Sequence, residues 1–485
     1  MGGMALEICG GTIYITGLYT TDLKHRFFAG PDGQLKVEQL VFACNLGNWL
    51  PAAGFFNDSR LGGGRNTAWV AALLTLLGYL GVWCWSSGLL VMPYWQVWAC
   101  WFLWGHGSGW FDNAAVTTTA RNFPQQRGRS MALVKAFYGL SGSILAQAYD
   151  LLFYNRTSEF LLFLGVALSA LGALCAPLLR FVPQAQHGER DTPIPRLGRG
   201  LGVVLAMAIL LLCMGIVRVL CGVSLAVNLL AFAAVCACLG LLGWQLALGG
   251  PAAVQGDAAT LGAAGLGSPL GSTVAAPLAP PEVAPREALA SAGFWLLFLV
   301  TFVGMGSGLV VLNHVGQMVS ALGGSSATTS VLVSMLSVAN CLGRVALGVI
   351  PDASAAVLRR PWFLAIDLAA MACAQLLLAL GALPALCAGA VLAAFSYGGF
   401  WTLMPSLVIE LFGIGSFATL YNCMSLAVSS ASLTFSTLLA ATLYDRQAAL
   451  HPAAAGGGCS GPTCYRTTCL ILAASLGVGV VAALV

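Results

Sequence analysis

Two side chains of opposite charge lie within neighbouring apolar stretches of the chain, at similar distances from the turn that joins them. Asp112 precedes Pro124 by about three helical turns, and Lys135 follows it by about the same distance. If the two stretches form a helical hairpin in an apolar medium, both charges lie at the same depth and can pair. A charge buried in such a medium is costly unless it is paired. The pattern therefore indicates either a structural ion pair or a site that exchanges a proton or attracts an anion.

Further residues at helical spacings are candidates for the same chemistry. His106 lies about two turns before Asp112 on the same predicted helix, and we expect the two to share a face. A histidine beside a carboxylate could couple proton movement to solute movement, whereas a hydrogen-bonded core histidine is the simpler interpretation. Tyr397 and Trp401 are expected to face one cavity together, unless they serve only in packing. Glu410, further along that helix, is expected to brace a gate.

The elements that hold these residues must be membrane helices. Of all residues 59% are hydrophobic and only 8% are charged, and the mean hydropathy is +0.87, whereas soluble domains have about a quarter of their residues charged. The net charge of +4 is small, and no basic run is interleaved with aromatic residues, so nothing in the sequence suggests nucleic acid and no such partner is expected. The 16 cysteines and 5 histidines are scattered, which argues against a metal centre or an enzyme active site. No cofactor is expected.

The apolar segments divide the chain into two similar halves. We count about 14 segments of about 20 residues, the length that crosses a bilayer. They predict an all-α membrane protein with about six helices over 1–181, a cytosolic loop over 182–200, an extra transmembrane hairpin over 201–248 and about six more helices over 291–485. Residues 249–290 are rich in Ala, Gly and Pro and contain no aromatic residue, so we expect a flexible linker there. A duplicated bundle is common among solute transporters.

A short polar motif occurs once in each predicted bundle. The first copy has Gly54, Asp58, Arg60, Gly62 and Arg65, and the second has Gly348 and Asp352, with Arg344 upstream. Glycine permits close helix contact, and the first aspartate can meet the positive N-terminal end of a facing helix or Arg65. We therefore expect a latch that closes in one conformation, with Arg344 and Asp352 as a gate pair. A basic turn that only sets membrane topology is the alternative.

Basic residues in the predicted connections place both chain termini in the cytosol. The connections on the N-terminal side carry more Arg and Lys than those on the other side, and such residues stay cytosolic. Both latch motifs then lie on the cytosolic side. Cys459 and Cys464 fall in an outer loop, where a disulfide would close only a small ring. Only Met1-Gly-Gly precedes the first apolar segment, so no cleavable signal peptide is expected.

Longer stretches resemble one family of membrane carriers. They are residues 10–19, 121–124 and 135–142 in the first half, and 304–308, 410–413, 419–422, 443–445 and 459–466 in the second. Together with the two latch motifs they are similar to the nodulin-like branch of the major facilitator superfamily, which itself resembles oxalate/formate-type and monocarboxylate-type carriers. The likeness covers nearly the whole chain except the linker. The sequence departs from the family pattern at Ser59, where arginine is usual, and at Asp112, where asparagine is expected.

The resemblance implies a major facilitator fold, in which two six-helix bundles rock about a central site. It implies that the first and seventh helices line the central cavity, which would bring in Tyr14 and Asn313. Glu7, near the start of the first helix, is expected at the membrane interface. We therefore expect a secondary transporter of a small organic solute, by likeness an anion of the monocarboxylate kind, that works as a monomer in the lipid bilayer. A non-transporting sensor built on a carrier fold is the alternative.

Overall fold

The protein is all-helical in the part of the chain that the structure describes. The computed structural model describes residues 1–28, 33–124, 126–153, 156–181, 194–221, 225–247, 282–450 and 459–485, and no strand occurs in these ranges. The helices are α1 (Gly2–Gly10), α2 (Thr16–Phe27), α3 (Gly33–Trp49), α4 (Ala52–Asp58), α5 (Gly64–Ser86), α6 (Tyr94–Asn122), α7 (Arg127–Leu152), α8 (Thr157–Phe163), α9 (Ser169–Cys175), α10 (Ile194–Cys221), α11 (Leu225–Ala247), α12 (Pro285–Ala290), α13 (Ala292–Ala321), α14 (Ser326–Ala353), α15 (Arg360–Ala379), α16 (Leu383–Phe412), α17 (Phe417–Ala431), α18 (Ala441–Leu450) and α19 (Thr463–Leu484).

Three irregular turns join helices that would otherwise be continuous. A 3-10 turn over Gly11–Ile15 joins α1 to α2, and π-helical turns join α8 to α9 (Leu164–Leu168) and α17 to α18 (Ser432–Ala440). A π-helical turn leaves backbone groups without their usual helical partners and is frequent at functional sites. The first turn aims Tyr14 inwards, and the last lies beside Asn313.

Nine helical segments among the described residues are long and apolar enough to cross a bilayer. The other segments predicted to cross the membrane are helical as well, but each is too short, too interrupted or too polar to be counted among the nine. The first is interrupted by the 3-10 turn, and the second breaks where Pro51 separates α3 from α4. The polar and charged residues of α6 and α7, among them Asp112 and Lys135, lower the mean hydropathy of these helices, and the apolar part of α11 is short. The count of about 14 spans and the six-two-six layout therefore stay predictions.

Buried apolar side chains form two clusters, each drawn mainly from one half of the chain. The first cluster includes stacked Tyr79 and Trp104, with ring centroids 4.8 Å apart, and it extends to residues of α10 and α11. The second includes Tyr397, Phe400 and Phe435 of the C-terminal half. The halves meet where α7 packs on α14 and where α4 packs on α17, and α10 packs against both α7 and α14.

Most of the two predicted loops lies outside the described residues. These parts are 182–193 of the expected cytosolic loop and 249–281 of the expected linker. The end of the predicted linker is described and is anchored to the second half. There the Glu282 carboxylate accepts hydrogen bonds from the amides of Ile414 and Gly415, and the Val283 amide donates to the Phe412 carbonyl.

Candidate functional site

A buried ion pair lies where the two halves meet. Asp112 of α6 and Lys135 of α7 are in direct contact, and Lys135 is only 1% exposed. Tyr421 of α17 completes the group, because its hydroxyl accepts from Lys135 Nζ (2.7 Å) and donates to Asp112 Oδ2 (2.7 Å). The hairpin of α6 and α7 thus supplies both charges, and the other half supplies the hydroxyl that links them.

Aromatic rings surround the Lys135 ammonium group. Its Nζ lies 5.0 Å from the ring centre of Trp401, 5.3 Å from that of Tyr421 and 5.4 Å from that of Tyr138. Each contact of this kind contributes about 0.5 to 2 kcal/mol when water is excluded. The ring faces and the Asp112 carboxylate together stabilise this cation inside the protein.

Arg344 is a second buried cation in the same region, and it does not form the gate pair expected from sequence. It is 0% exposed, and its guanidinium donates to Asn340 Oδ1 (2.7 Å), the Lys135 carbonyl (3.0 Å) and Tyr14 Oη (3.4 Å). Asp352 lies two turns further along α14 and pairs with Arg360 instead. Arg344 is turned into the interface between α14 and α7, whereas Asp352 reaches the end of the bundle.

Glu7 also belongs to this central group, although the sequence places it at the membrane interface. The side chain is 0% exposed, and neither carboxylate oxygen has a hydrogen-bond partner among the described residues. Its carboxyl interacts with Asp112, Lys135 and Arg344. The interfacial interpretation was wrong because α1 packs between α6, α7 and α9, which close over its first turns.

The central cavity has room for about one water molecule. Its free volume is ≈ 10 Å³, close to the minimum that holds a water. The lining comes from both halves and comprises Asn48, Trp49, Gly109, Asp112, Lys135, Tyr138, Trp401, Asn422 and Ser425. The charged group is therefore closely packed by both halves in this structure, with no room for a solute larger than water in this cavity.

His106 does not join the central group. Residues six apart on an α-helix are rotated by roughly 120° from one another, so the shared face with Asp112 expected from sequence was wrong. The ring is held by two hydrogen bonds, from Nδ1 to the Gly47 carbonyl (2.7 Å) and from Trp110 Nε1 to Nε2 (2.9 Å). These partners fix the neutral tautomer with the proton on Nδ1, which matches the core-histidine interpretation.

The other residues predicted to line the central cavity lie in two places, at the centre of the bundle and towards its far end. Tyr14 reaches Arg344 from the 3-10 turn, and Tyr397 packs edge-on against Trp401 at 6.3 Å. Asn313 is elsewhere: its amide donates to Ser436 Oγ (3.0 Å) in the π-helical turn between α17 and α18. Asn313 therefore lies on the side opposite the latch motifs and away from the central charges.

The first latch motif joins the two halves through a helix end. The Asp58 carboxylate accepts from the Thr419 amide (2.7 Å) at the start of α17 and from Arg121 (2.9 Å). Helix α17 has no side-chain cap of its own, so Asp58 of the opposite half acts as its cap. A Cβ added to Gly54 would lie 2.2 Å from the Ala418 carbonyl, which explains why glycine is needed there.

The second latch motif repeats this geometry with the halves exchanged. Asp352 accepts from the Arg129 amide (3.0 Å) at the start of α7, a helix that also lacks a side-chain cap of its own. A Cβ on Gly348 would lie 2.6 Å from the Gly128 carbonyl. Arg360 pairs with both Asp352 and Glu410, so Glu410 braces the motif from the end of α16.

The other residues of the first motif shape the turn. Gly62 is packed so tightly that a Cβ would lie 1.8 Å from the Phe56 carbonyl, and Arg60 is exposed. Arg65 faces a second cavity of ≈ 310 Å³, which Arg121 also lines, and it is Arg121 that pairs with Asp58.

A chain of hydrogen-bonded asparagine side chains lies near the first latch motif, and no pattern in the sequence predicts it. Asn57 Nδ2 donates to Asn113 Oδ1 (2.8 Å), Asn113 contacts the Asn422 side chain, and Asn422 Nδ2 donates to the Leu50 carbonyl (3.3 Å). The three asparagines belong to α4, α6 and α17, and so to both halves. Their spacing in the sequence carries no signal of the contact.

Two sequence expectations concern the cysteines and metals. Cys459 and Cys464 are joined in a disulfide. Among the described residues no group of three or more His, Cys, Asp or Glu side chains is arranged to bind a metal ion.

Solved structures of transporters share this fold. The chain matches the proton:xylose symporter XylE of E. coli with a TM-score of 0.60 and 15% identity, covering 100% of this chain and 93% of that one. It matches the human organic anion transporter MFSD10 with a TM-score of 0.58 and 13% identity, covering 99% and 97%. At these identities the likeness concerns the fold, which is the all-helical fold of the major facilitator superfamily.

Sequence comparisons then give the family. The Nodulin-like family model matches residues 1–243, half of the chain, and the model for the NFD4 C-terminal domain matches residues 281–485. The chain therefore belongs to the nodulin-like family of major facilitator membrane transporters.

Two curated relatives accord with this family. Protein NUCLEAR FUSION DEFECTIVE 4 of Arabidopsis thaliana is 26% identical over 519 residues, which cover 99% of this chain and 86% of that protein. The uncharacterized MFS-type transporter YhjX of Escherichia coli is 32% identical over 150 residues, covering 30% of this chain and 36% of that one.

Proposed function

We propose that the protein is a secondary transporter that moves a small organic anion by alternating access. The observation that carries the proposal is the caged Lys135 ammonium, which both halves contact at the centre of the fold. Asp112 and Tyr138 approach it from the N-terminal half, and Tyr421 and Trp401 approach it from the C-terminal half. A solute bound there would touch both halves, so their reorientation would carry it from one side to the other.

The two latch motifs support the alternating-access part of the proposal. They tie the halves together at one end of the bundle, while the central cavity holds about one water. A conformation that admits solute must enlarge this cavity, and separating the latch contacts is one way to do so. From the distribution of basic residues we infer that the latch end is cytosolic, as are both termini.

The charges at the centre support an anionic solute. Lys135 and Arg344 are cationic, and among the described residues Asp112 is the carboxylate in direct contact with either of them. An incoming carboxylate could replace Asp112 at Lys135 and use the Tyr421 hydroxyl as a donor. The solved human relative of similar fold is named an organic anion transporter, which accords with this solute class.

Uptake by proteoliposomes tests the proposal. The purified protein would be offered radiolabelled formate, oxalate, pyruvate and lactate, with Lys135→Ala compared with Lys36→Ala, whose side chain is exposed. We expect Lys135→Ala to abolish saturable uptake and Lys36→Ala to leave it unchanged. If both variants carry the anion as well as the wild type, Lys135 is not part of the solute site.

The same measurement separates a transporter from a sensor. A sensor built on this fold would bind one of the four anions, seen as a rise in thermal stability, without moving it into vesicles. Uptake that depends on the protein excludes this alternative. We propose that the monomer is sufficient, because the central site is complete within one chain.

A further inference from the structure

A buried tryptophan of the N-terminal half lies at the contact between the halves. Trp49 is the last residue of α3, which packs against α6 of its own half and against α17 of the other. The side chain is 4% exposed and belongs to the apolar cluster drawn mainly from the C-terminal half. Its backbone is therefore part of one half, whereas its ring is part of a core that comes mainly from the other.

The indole N–H of Trp49 has no acceptor within the described part of the chain. Its Nε1 is shielded from solvent, and no described residue accepts a hydrogen bond from it. An indole nitrogen donates and does not accept, so no other protonation or tautomer satisfies it. Buried tryptophans usually have a partner for this donor, because a buried donor without one loses the hydrogen bond that water would provide. The unpaired N–H therefore points to an acceptor from outside the chain.

The central cavity can supply that acceptor. Trp49 lines the cavity together with Lys135, and the space has room for about one water, whose oxygen can accept a hydrogen bond. Asn422 and Ser425 also line it, but their side chains donate to backbone carbonyls at 3.3 Å and 3.2 Å. The Trp49 donor is not used in this way and is available to a bound molecule.

We infer that the Trp49 indole N–H is a second donor of the solute site, which binds an oxygen of the anion while Lys135 neutralises its charge. This inference rests on the proposed function. When the cavity enlarges to admit the anion, an anionic oxygen replaces the water that fits beside Trp49. A hydrogen bond to a charged acceptor is stronger than one to water, so the exchange favours binding. Trp49 adds affinity without adding charge.

Trp49→Phe tests the inference, and Trp101→Phe is the matched control. Phenylalanine keeps an aromatic ring and removes the N–H. Trp101 is also a buried indole, 0% exposed with no acceptor for its Nε1 among the described residues, but it does not line the central cavity. Both substitutions therefore remove the same group from a buried position, and only one removes it from the site.

Uptake by proteoliposomes gives the first measurement, with whichever of formate, oxalate, pyruvate and lactate the wild type carries. Trp49→Phe should raise KM about 10- to 100-fold, as expected for loss of a hydrogen bond to a charged group, and should retain the maximal rate. Trp101→Phe should keep KM within about threefold of the wild type. An unchanged KM in Trp49→Phe, or an equal rise in both variants, overturns the binding role while transport stands.

Nuclear magnetic resonance of the wild type gives a second measurement that does not depend on the function of a variant. With ¹⁵N-labelled tryptophan in lipid nanodiscs, each of the 13 tryptophans contributes one indole N–H signal. The Trp49 and Trp101 signals are those missing from the respective phenylalanine variants. Addition of the anion should move the Trp49 signal downfield, as expected for an N–H that donates to an anion, and should leave the Trp101 signal in place. A Trp49 signal that stays in place when the anion saturates uptake overturns the inference.

Failure of the proposed function gives a different result. If the wild type moves none of the four anions but one of them shifts the Trp49 signal, the transport proposal fails and the binding role of Trp49 stands. If the wild type moves an anion that leaves the Trp49 signal in place, transport stands and the binding role fails. If the wild type moves none and the signal does not shift with any of them, both fail.

Discussion

Replacing Asp352 should open the latch end of the protein. Its carboxylate accepts from the Arg129 amide at 3.0 Å and pairs with Arg360, and the two side chains are only 10% and 17% exposed. Asp352→Ala removes both contacts and leaves the first turn of α7 without a cap. Asp352→Asn removes the charge but keeps an oxygen that can accept from the Arg129 amide.

The size of the effect follows from those two contacts. Loss of a helix cap costs about 1 kcal/mol, and loss of a partly buried, charge-assisted pair costs about 1 to 2 kcal/mol. Together they destabilise the closed form by about 2 to 3 kcal/mol, which is roughly a 30- to 150-fold change in its ratio to the opened form. The asparagine variant keeps the cap and should lose about 1 kcal/mol, roughly fivefold.

Hydrogen exchange at the Arg129 amide measures this ratio directly, since the amide exchanges when the latch opens. The Ala variant should exchange roughly 30- to 150-fold faster and the Asn variant roughly fivefold faster, in lipid nanodiscs at fixed pH. Asp22→Asn is the control, because Asp22 forms an exposed pair with Arg26 whose side chains are 43% and 42% exposed. If exchange at Arg129 in the Ala variant stays within about threefold of the wild type, Asp352 does not hold the latch closed.

Two further predictions concern the latch. Gly348→Ala should prevent full closure, because the added Cβ would lie 2.6 Å from the Gly128 carbonyl, whereas Gly293→Ala has no atom within 4 Å and should behave as wild type; a thermal melt that shows equal stability for the two variants would contradict this. The pH response of Asp58 gives the other prediction. Partial burial raises the pKa of Asp58. The hydrogen bond from the Thr419 amide and the charge of Arg121 act in the opposite direction and are outweighed. The closed latch then binds this proton more tightly than a solvated aspartate does, so its contribution to closure is fully present below the ordinary aspartate pKa and is lost as pH rises through the raised pKa. Protection of the Thr419 amide from hydrogen exchange, corrected for the intrinsic pH dependence of exchange, should therefore fall as pH rises through the raised pKa. A rise in protection would show that the ion pair with Arg121 outweighs burial.

The parts of the site that sequence could predict are those encoded by local spacing or by repetition. Asp112 and Lys135 flank one hairpin at similar distances from its turn, so counting residues places them together. The two latch aspartates stand four residues after a glycine in each half, and the structure gives both the same role at a facing helix. Arg344 shows the limit of this reasoning, since residues two turns apart share a helix face without sharing a partner.

The parts that sequence missed depend on contacts between distant elements. Tyr421 is 286 residues from Lys135, and no local pattern marks its hydroxyl as the link to Asp112. Glu7 resembles an interfacial residue because it is close to the chain start, and its burial arises only when α6 and α7 pack over α1. His106 was misplaced by counting six residues as two full turns.

The exchange of helix caps between the halves also has a kinetic consequence. Helices α7 and α17 begin at residues whose caps come from Asp352 and Asp58 of the opposite half. Any excursion that separates the halves at this end leaves both helices uncapped until solvent replaces the carboxylates. At about 1 kcal/mol for each cap, such an excursion is slowed roughly 30-fold. If the halves alternate as proposed, the paired aspartates slow their separation at this end, and a variant without both carboxylates should open more often even though its central site is unchanged.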